Sequence, residues 1–132
     1  MEREYSPIPA TTEATAKEVI DAAFAVYRAL GPGLLESVYE TCLCHELGKR
    51  DVSFQRQLAL PVVYGAVRLD AGLRLDLLVA DCVVVELKAV EKHNPLFEAQ
   101  LLTYLKLTGL RLGLLINFNV PLFKQGLRRV VL

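Results

Sequence analysis

Between Val19 and Leu30 the apolar residues Val19, Ala22, Ala23, Val26, Tyr27 and Leu30 recur at helical spacing. Such spacing predicts a helix with one buried stripe. Thr15-Ala16-Lys17-Glu18 has capping-box form, so the helix is expected to start there. Gly31-Pro32-Gly33 ends it, because proline blocks continuation and glycine suits the left-handed position after a helix. A second helix is expected over 34–49, with Leu35, Val38, Tyr39, Leu43 and Leu47 inward. The texture then changes to alternating valine and leucine over 53–64, a strand that Pro61 confines to an edge or a bulge. Gly65-Ala66 suggests a turn, after which Val67 to Leu69 pairs back before Asp70-Ala71-Gly72. Two strands follow at 73–79 and 83–88, joined tightly by Ala80-Asp81-Cys82. Asn94-Pro95 opens a third helix that reaches Thr108 and stops at Gly109. Leu112 to Phe118 is apolar at almost every position, as in a strand buried on both faces, and Leu127 to Leu132 makes a short last strand.

Helix, helix, antiparallel strands, helix, strand, strand is the order of an α/β layer system with a mixed sheet between helices. At 132 residues, 53% of them hydrophobic, one domain over 14–132 accounts for the chain, preceded by a flexible arm over 1–13 that carries Pro7 and Pro9. Fifteen basic and fifteen acidic residues cancel, which argues against delocalised binding driven mainly by phosphate neutralisation. Cys42, Cys44 and Cys82 are odd in number and lack CxxC spacing. A disulfide framework or zinc site is therefore not expected, and a reduced cytoplasm is. No signal peptide and no membrane span is legible, so no membrane partner is expected.

The chemistry concentrates in the two strands 73–79 and 83–88. Asp76 lies within the first, and Glu86 and Lys88 within the second. Charges in such apolar runs are costly to desolvate without a partner, an ion or water. Glu86 and Lys88, two apart, share a face, and a short hairpin sets Asp76 against Glu86. Two carboxylates that close repel unless a cation intervenes, and Mg²⁺ or Mn²⁺ suits oxygen donors. The backbone carbonyl of Leu87 offers another oxygen, and Lys88 would orient an attacking water. An ordinary salt bridge from Lys88 to Asp76 or Glu86 is the competing account. Glu36 is either a further acid of the site or simply a helix-start carboxylate favoured by the dipole. Gln100 and Tyr104, at i and i+4, set an amide beside a phenol on one helix face, or form that helix's polar edge. Arg74 shares a strand face with Asp76 and would contact a phosphate or neutralise Glu36 or Glu40.

Taken in order, Glu36, Asp76, Glu86-Leu87-Lys88 and Gln100-x-x-x-Tyr104 resemble the PD-(D/E)XK nuclease superfamily, the last element resembling the QxxxY motif of its RecB-like and lambda-exonuclease-like branches. Gly33-x-x-Glu36-x-x-Tyr39 is similar to the motif naming the GxxExxY family, with similarity running from about Ala14 to Leu132. The resemblance implies an α/β, restriction-endonuclease-like core, a central mixed β-sheet flanked by helices. It makes Glu36, Asp76 and Glu86 metal ligands, Lys88 the catalytic lysine, and Gln100 and Tyr104 supporting or substrate-contacting groups. Leu75 stands where the superfamily pattern has a proline. The function implied is a Mg²⁺- or Mn²⁺-dependent phosphodiester hydrolase acting on nucleic acid, DNA ahead of RNA, with a homo-oligomer or protein partner left open. The alternative is a catalytically silent nucleic-acid-binding or protein-interaction module that keeps the fold.

Overall fold

A computed structural model describes residues 6–132; the first five residues of the expected arm lie outside them. Among the described residues the chain forms α1 (Ala10–Leu30), α2 (Glu36–Lys49), β1 (Phe54–Tyr64), β2 (Val67–Val79), β3 (Val83–Lys88), α3 (Pro95–Thr108), β4 (Leu112–Asn117), a 3₁₀ turn (Phe123–Gly126) and β5 (Leu127–Val131). The sheet has the order β1-β2-β3-β4-β5. Only β3 and β4 run parallel, joined through α3, and every other neighbouring pair is antiparallel. This is the expected α/β architecture with a mixed sheet.

Alternation along the central strands divides the core in two. Leu77, Val79, Val83, Val85, Leu87, Leu112, Leu114 and Ile116 pack with α1 and α2. Val84 and Leu115, on the other face, pack with Leu101 and Leu105 of α3. Helix α3 lies so close to β4 that a Cβ on Gly113 would meet the Leu101 side chain at 2.8 Å. No helix of the described residues is long and apolar enough to cross a membrane.

Several local expectations are corrected. Helix α1 begins at Ala10, ahead of Thr15, whose hydroxyl donates to the carbonyl of Thr11 within the helix instead of capping it. Ser6 and Pro7 precede it with their carbonyls accepting from the Arg111 guanidinium at 2.7 and 2.9 Å. Leu35 precedes α2 as its N-cap and is 73% exposed, and Val38 is exposed too, so neither faces the core. Residues 67–79 make one continuous strand, with Asp70-Ala71-Gly72 inside it. Pro61 does sit at an irregularity, since the β1–β2 register shifts between Leu60 and Val62.

The loop from α1 into α2 is held by Tyr39. Its buried ring stacks on Phe118 with centroids 4.4 Å apart. Its hydroxyl donates to the Gly31 carbonyl at 2.6 Å and accepts from the Leu34 N–H at 3.1 Å. One phenol thus ties together both ends of the turn that delivers Glu36. Tyr39→Phe keeps the ring but orphans both backbone groups, and is expected to destabilise the protein by about 1–3 kcal/mol, read by urea denaturation.

Candidate active site

The β2–β3 ladder runs through Leu78–Val84 and Leu77–Val85, and at the next position carboxylates replace backbone partners. The Asp76 N–H donates to Glu86 Oε1 at 3.2 Å, and the Leu87 N–H donates to Asp76 Oδ2 at 2.8 Å. The two side chains are thereby wedged between the strands, each held by the other's segment. Glu86 is 7% exposed. Burial, then the adjacent Asp76 charge, pushes its pKa up to about 9, against an opposing pull from Lys88. At neutral pH the pair therefore holds a proton that a cation of the right kind would displace.

Lys88 follows on β3, with its Nζ 4.5 Å from the centroid of the Phe97 ring on α3. Its carbonyl accepts from the Phe118 N–H at 2.9 Å, extending the β3–β4 pairing past the strand ends. Asn117 fixes the loop beyond it: its Oδ1 accepts from Val90 N–H at 3.1 Å and its Nδ2 donates to the Val90 carbonyl at 2.9 Å. Among the described residues, neither Lys88 nor Arg74 forms an ion pair with Asp76 or Glu86.

Glu36 opens α2 in an exposed position. Partial withdrawal from water, followed by the charges of Asp76 and Glu40, raises its carboxyl above the usual range, against an opposing pull from Lys88. It therefore lies within electrostatic reach of the pair. Tyr104, half-buried on α3, also has its pKa raised, by burial first and then by Glu86 and Asp76. Gln100 is exposed one turn before it. Arg74 is exposed on β2. The expectation that it neutralises Glu40 is corrected, because Arg56 does so, its Nη2 donating to Glu40 Oε2 at 2.9 Å. Arg128 and Arg129 diverge, the former 3.8 Å from Glu98 on α3 and the latter paired with Glu13 on α1. His93 Nε2 lies 2.5 Å from Glu98 Oε1.

A strand irregularity beside the pair has no counterpart in the sequence reading. Arg56 pairs with Leu77 and Leu58 with Leu75, which leaves Gln57 and Asp76 facing each other out of the ladder. Gln57 has φ +52°. Its amide donates to Glu40 Oε1 at 2.5 Å and reaches Asp76 Oδ1 at 3.5 Å. Glu40 is 8% exposed. The available signal was Gln55-Arg56-Gln57, three adjacent polar residues in a segment otherwise destined for the sheet.

Comparison with known families matches residues 13–130 to the PD-(D/E)XK nuclease superfamily. The chain belongs to that superfamily. Neither the search of curated proteins nor that of solved structures returned a significant match.

Nucleases of this superfamily typically use divalent metals. No group of three or more His, Cys, Asp or Glu side chains among the described residues is arranged as a ready-made cage. Mg²⁺, however, needs only one or two protein carboxylates, since it keeps several waters and shares the substrate's phosphate oxygens. Two converging carboxylates, one of them retaining a proton because burial and then its neighbour's charge outweigh the pull of Lys88, fit a hard cation.

Proposed function

We propose that the protein is a divalent-metal-dependent nuclease of the GxxExxY family, hydrolysing phosphodiester bonds in the cytoplasm with Mg²⁺ or Mn²⁺ as cofactor. The observation that carries this proposal is the interlocking of Asp76 and Glu86, each carboxyl accepting a backbone N–H from the other's strand, with no cationic side chain of the described residues within ion-pair distance of either. A purely structural ion pair would have engaged Lys88 or Arg74. A silent module would have no use for two acids whose mutual repulsion opposes ionisation.

Asp76 and Glu86 would hold the cation, with Glu36 joining through water and the Leu87 carbonyl as a further oxygen. The bound cation would stabilise charge on the attacking and leaving oxygens of an in-line displacement. Lys88, packed on Phe97, brings a positive charge to the same side of the sheet, where it would orient the attacking water and offset charge on the phosphate. Tyr104 would donate its phenol proton to a substrate oxygen, which its raised pKa keeps available at neutral pH. Gln100, one turn away, would support the same contact, and Arg74 would meet the backbone beyond the scissile phosphate. DNA is preferred over RNA on the likeness to restriction-endonuclease-like cores.

Titration of Mn²⁺ into the wild-type protein, paired with cleavage assays on labelled single- and double-stranded DNA and RNA, tests the proposal. Binding accompanied by metal-dependent cleavage is expected. A protein that takes up no Mn²⁺ even at millimolar concentration makes the carboxylates structural and the interaction module the better account.

A further inference from the structure

We propose that Gln57 is a positioning residue for Asp76, anchored in turn by the buried Glu40. The inference rests on the metal-binding role just proposed for Asp76 and extends it to a residue outside the superfamily motifs.

The observation is an inversion of strand faces centred on Gln57 and Asp76. On β1, Phe54 packs toward α1 and α2, whereas Leu58 and Leu60 pack toward α3. On β2, Val79 and Leu77 pack toward α1 and α2, whereas Leu75 packs toward α3. Strict alternation would keep residues two apart on one face, so both strands switch sides between the same two paired positions. The left-handed backbone of Gln57 makes the switch on β1. A glutamine has no intrinsic preference for that conformation. The hydrogen bonds of its side chain favour it there.

One amide hydrogen goes to Glu40 Oε1 at 2.5 Å, and the amide nitrogen lies 3.5 Å from Asp76 Oδ1. Glu40 cannot drift, because it is buried, its other oxygen takes the Arg56 guanidinium at 2.9 Å, and Arg56 also reaches Thr41 Oγ1 at 3.3 Å. Asp76 is therefore tied from both neighbouring strands, through Oδ1 by Gln57 on β1 and through Oδ2 by the Leu87 N–H on β3. A carboxylate contacted at both oxygens is restrained in its rotation, which favours one direction for its remaining lone pairs. Groups that orient a metal-binding side chain in this way typically matter tenfold to a hundredfold in metal affinity.

Two substitutions separate the amide from the backbone. Gln57→Gly removes the amide and relieves the left-handed conformation, while Gln57→Met removes the amide at nearly constant length and leaves the conformation unrelieved. A merely structural role predicts opposite outcomes for them. A positioning role predicts the same one: Mn²⁺ affinity, measured calorimetrically and by the electron paramagnetic resonance of bound Mn²⁺, falls about tenfold or more in both. Melting curves establish that each variant is folded. Wild-type affinity in a folded Gln57→Gly overturns the inference. Asp76→Ala supplies the control. Wild-type binding that Asp76→Ala abolishes, with both Gln57 variants unaffected, overturns this inference alone. A wild-type protein without Mn²⁺ binding, or one in which Asp76→Ala binds as well, overturns the metal assignment and this inference with it.

Discussion

Asp76→Asn is expected to abolish both Mn²⁺ binding and cleavage, whereas Lys88→Met is expected to abolish cleavage alone. Asp76 occupies the position where the β2–β3 ladder gives way, and its Oδ2 takes the Leu87 N–H. Asparagine fills the same space and, with its oxygen toward Leu87, can keep that bond. It removes the charge that holds a cation beside Glu86. Burial still raises the Glu86 pKa, but the neutral amide removes the Asp76 charge that adds to it, so the variant is expected to fold. Cleavage should fall by about a thousandfold or more, the scale expected when the charge compensating a transition state is lost. Lys88 differs because it sits on Phe97 and pairs with neither carboxylate. Methionine preserves the packing on that ring while deleting the ammonium, so Mn²⁺ uptake should persist as turnover drops by about 10²–10³-fold. Calorimetry and a cleavage assay on the same three proteins read the split. Loss of Mn²⁺ binding in Lys88→Met, or retained cleavage in Asp76→Asn, contradicts the roles assigned.

The fold was legible where local signals and burial agree. Asn94 caps α3 by accepting from the Leu96 N–H at 2.9 Å, Pro95 occupies its first turn, and Gly109 ends it with φ +73°. The valines of β3 are buried on both faces, as an interior strand beside a parallel neighbour requires. Asp76 and Glu86 stood out for the same reason, because a charge inside an apolar run needs an explanation. What stayed hidden depends on contacts between segments. Asp70-Ala71-Gly72 spells a turn, yet Gly72 belongs to a strand because Val62 occupies the place its Cβ would take, 2.3 Å from Val62 Cγ2. Leu35 looks like a core residue by spacing, but the turn secured by Tyr39 leaves it outside the first turn of α2. The face inversion at Gln57 is the deepest omission. A one-residue irregularity flips every later side chain of a strand and leaves the order of residue types unchanged, so the contact between Glu40, Gln57 and Asp76 exists only in three dimensions.

In EDTA the protein is expected to lose stability steadily as pH rises from about 5 to 9, and Glu86→Gln is expected to remove most of that loss. Glu86 titrates near 4.5 when unfolded and near 9 in the fold, because burial and then Asp76 oppose its ionisation. The native state thus binds more protons than the unfolded state throughout this window. Stability must fall with pH between the two values, by at most about 1.4 kcal/mol per unit for a single group. The stabilising contribution is complete below the unfolded value and gone above the native one. Glu36, raised by the same pair, adds to the fall with the same sign. Glutamine at position 86 keeps an oxygen for the Asp76 N–H and gains an N–H for the Asp76 carboxylate, reproducing the protonated acid at every pH. The variant should be more stable than wild type at pH 8 by more than about 2 kcal/mol, and it should neither bind Mn²⁺ nor cleave. Saturating Mn²⁺ should flatten the wild-type curve as well, since the cation displaces the shared proton and its binding strengthens as pH rises. Urea denaturation at several pH values, with EDTA and with Mn²⁺, measures all of this. A wild-type curve in EDTA that is level from pH 5 to 9 would show that the two carboxyls do not share a proton. A stability maximum bought by neutralising Glu86, at the expense of metal binding, would show that the fold tolerates this repulsion for the sake of the cation.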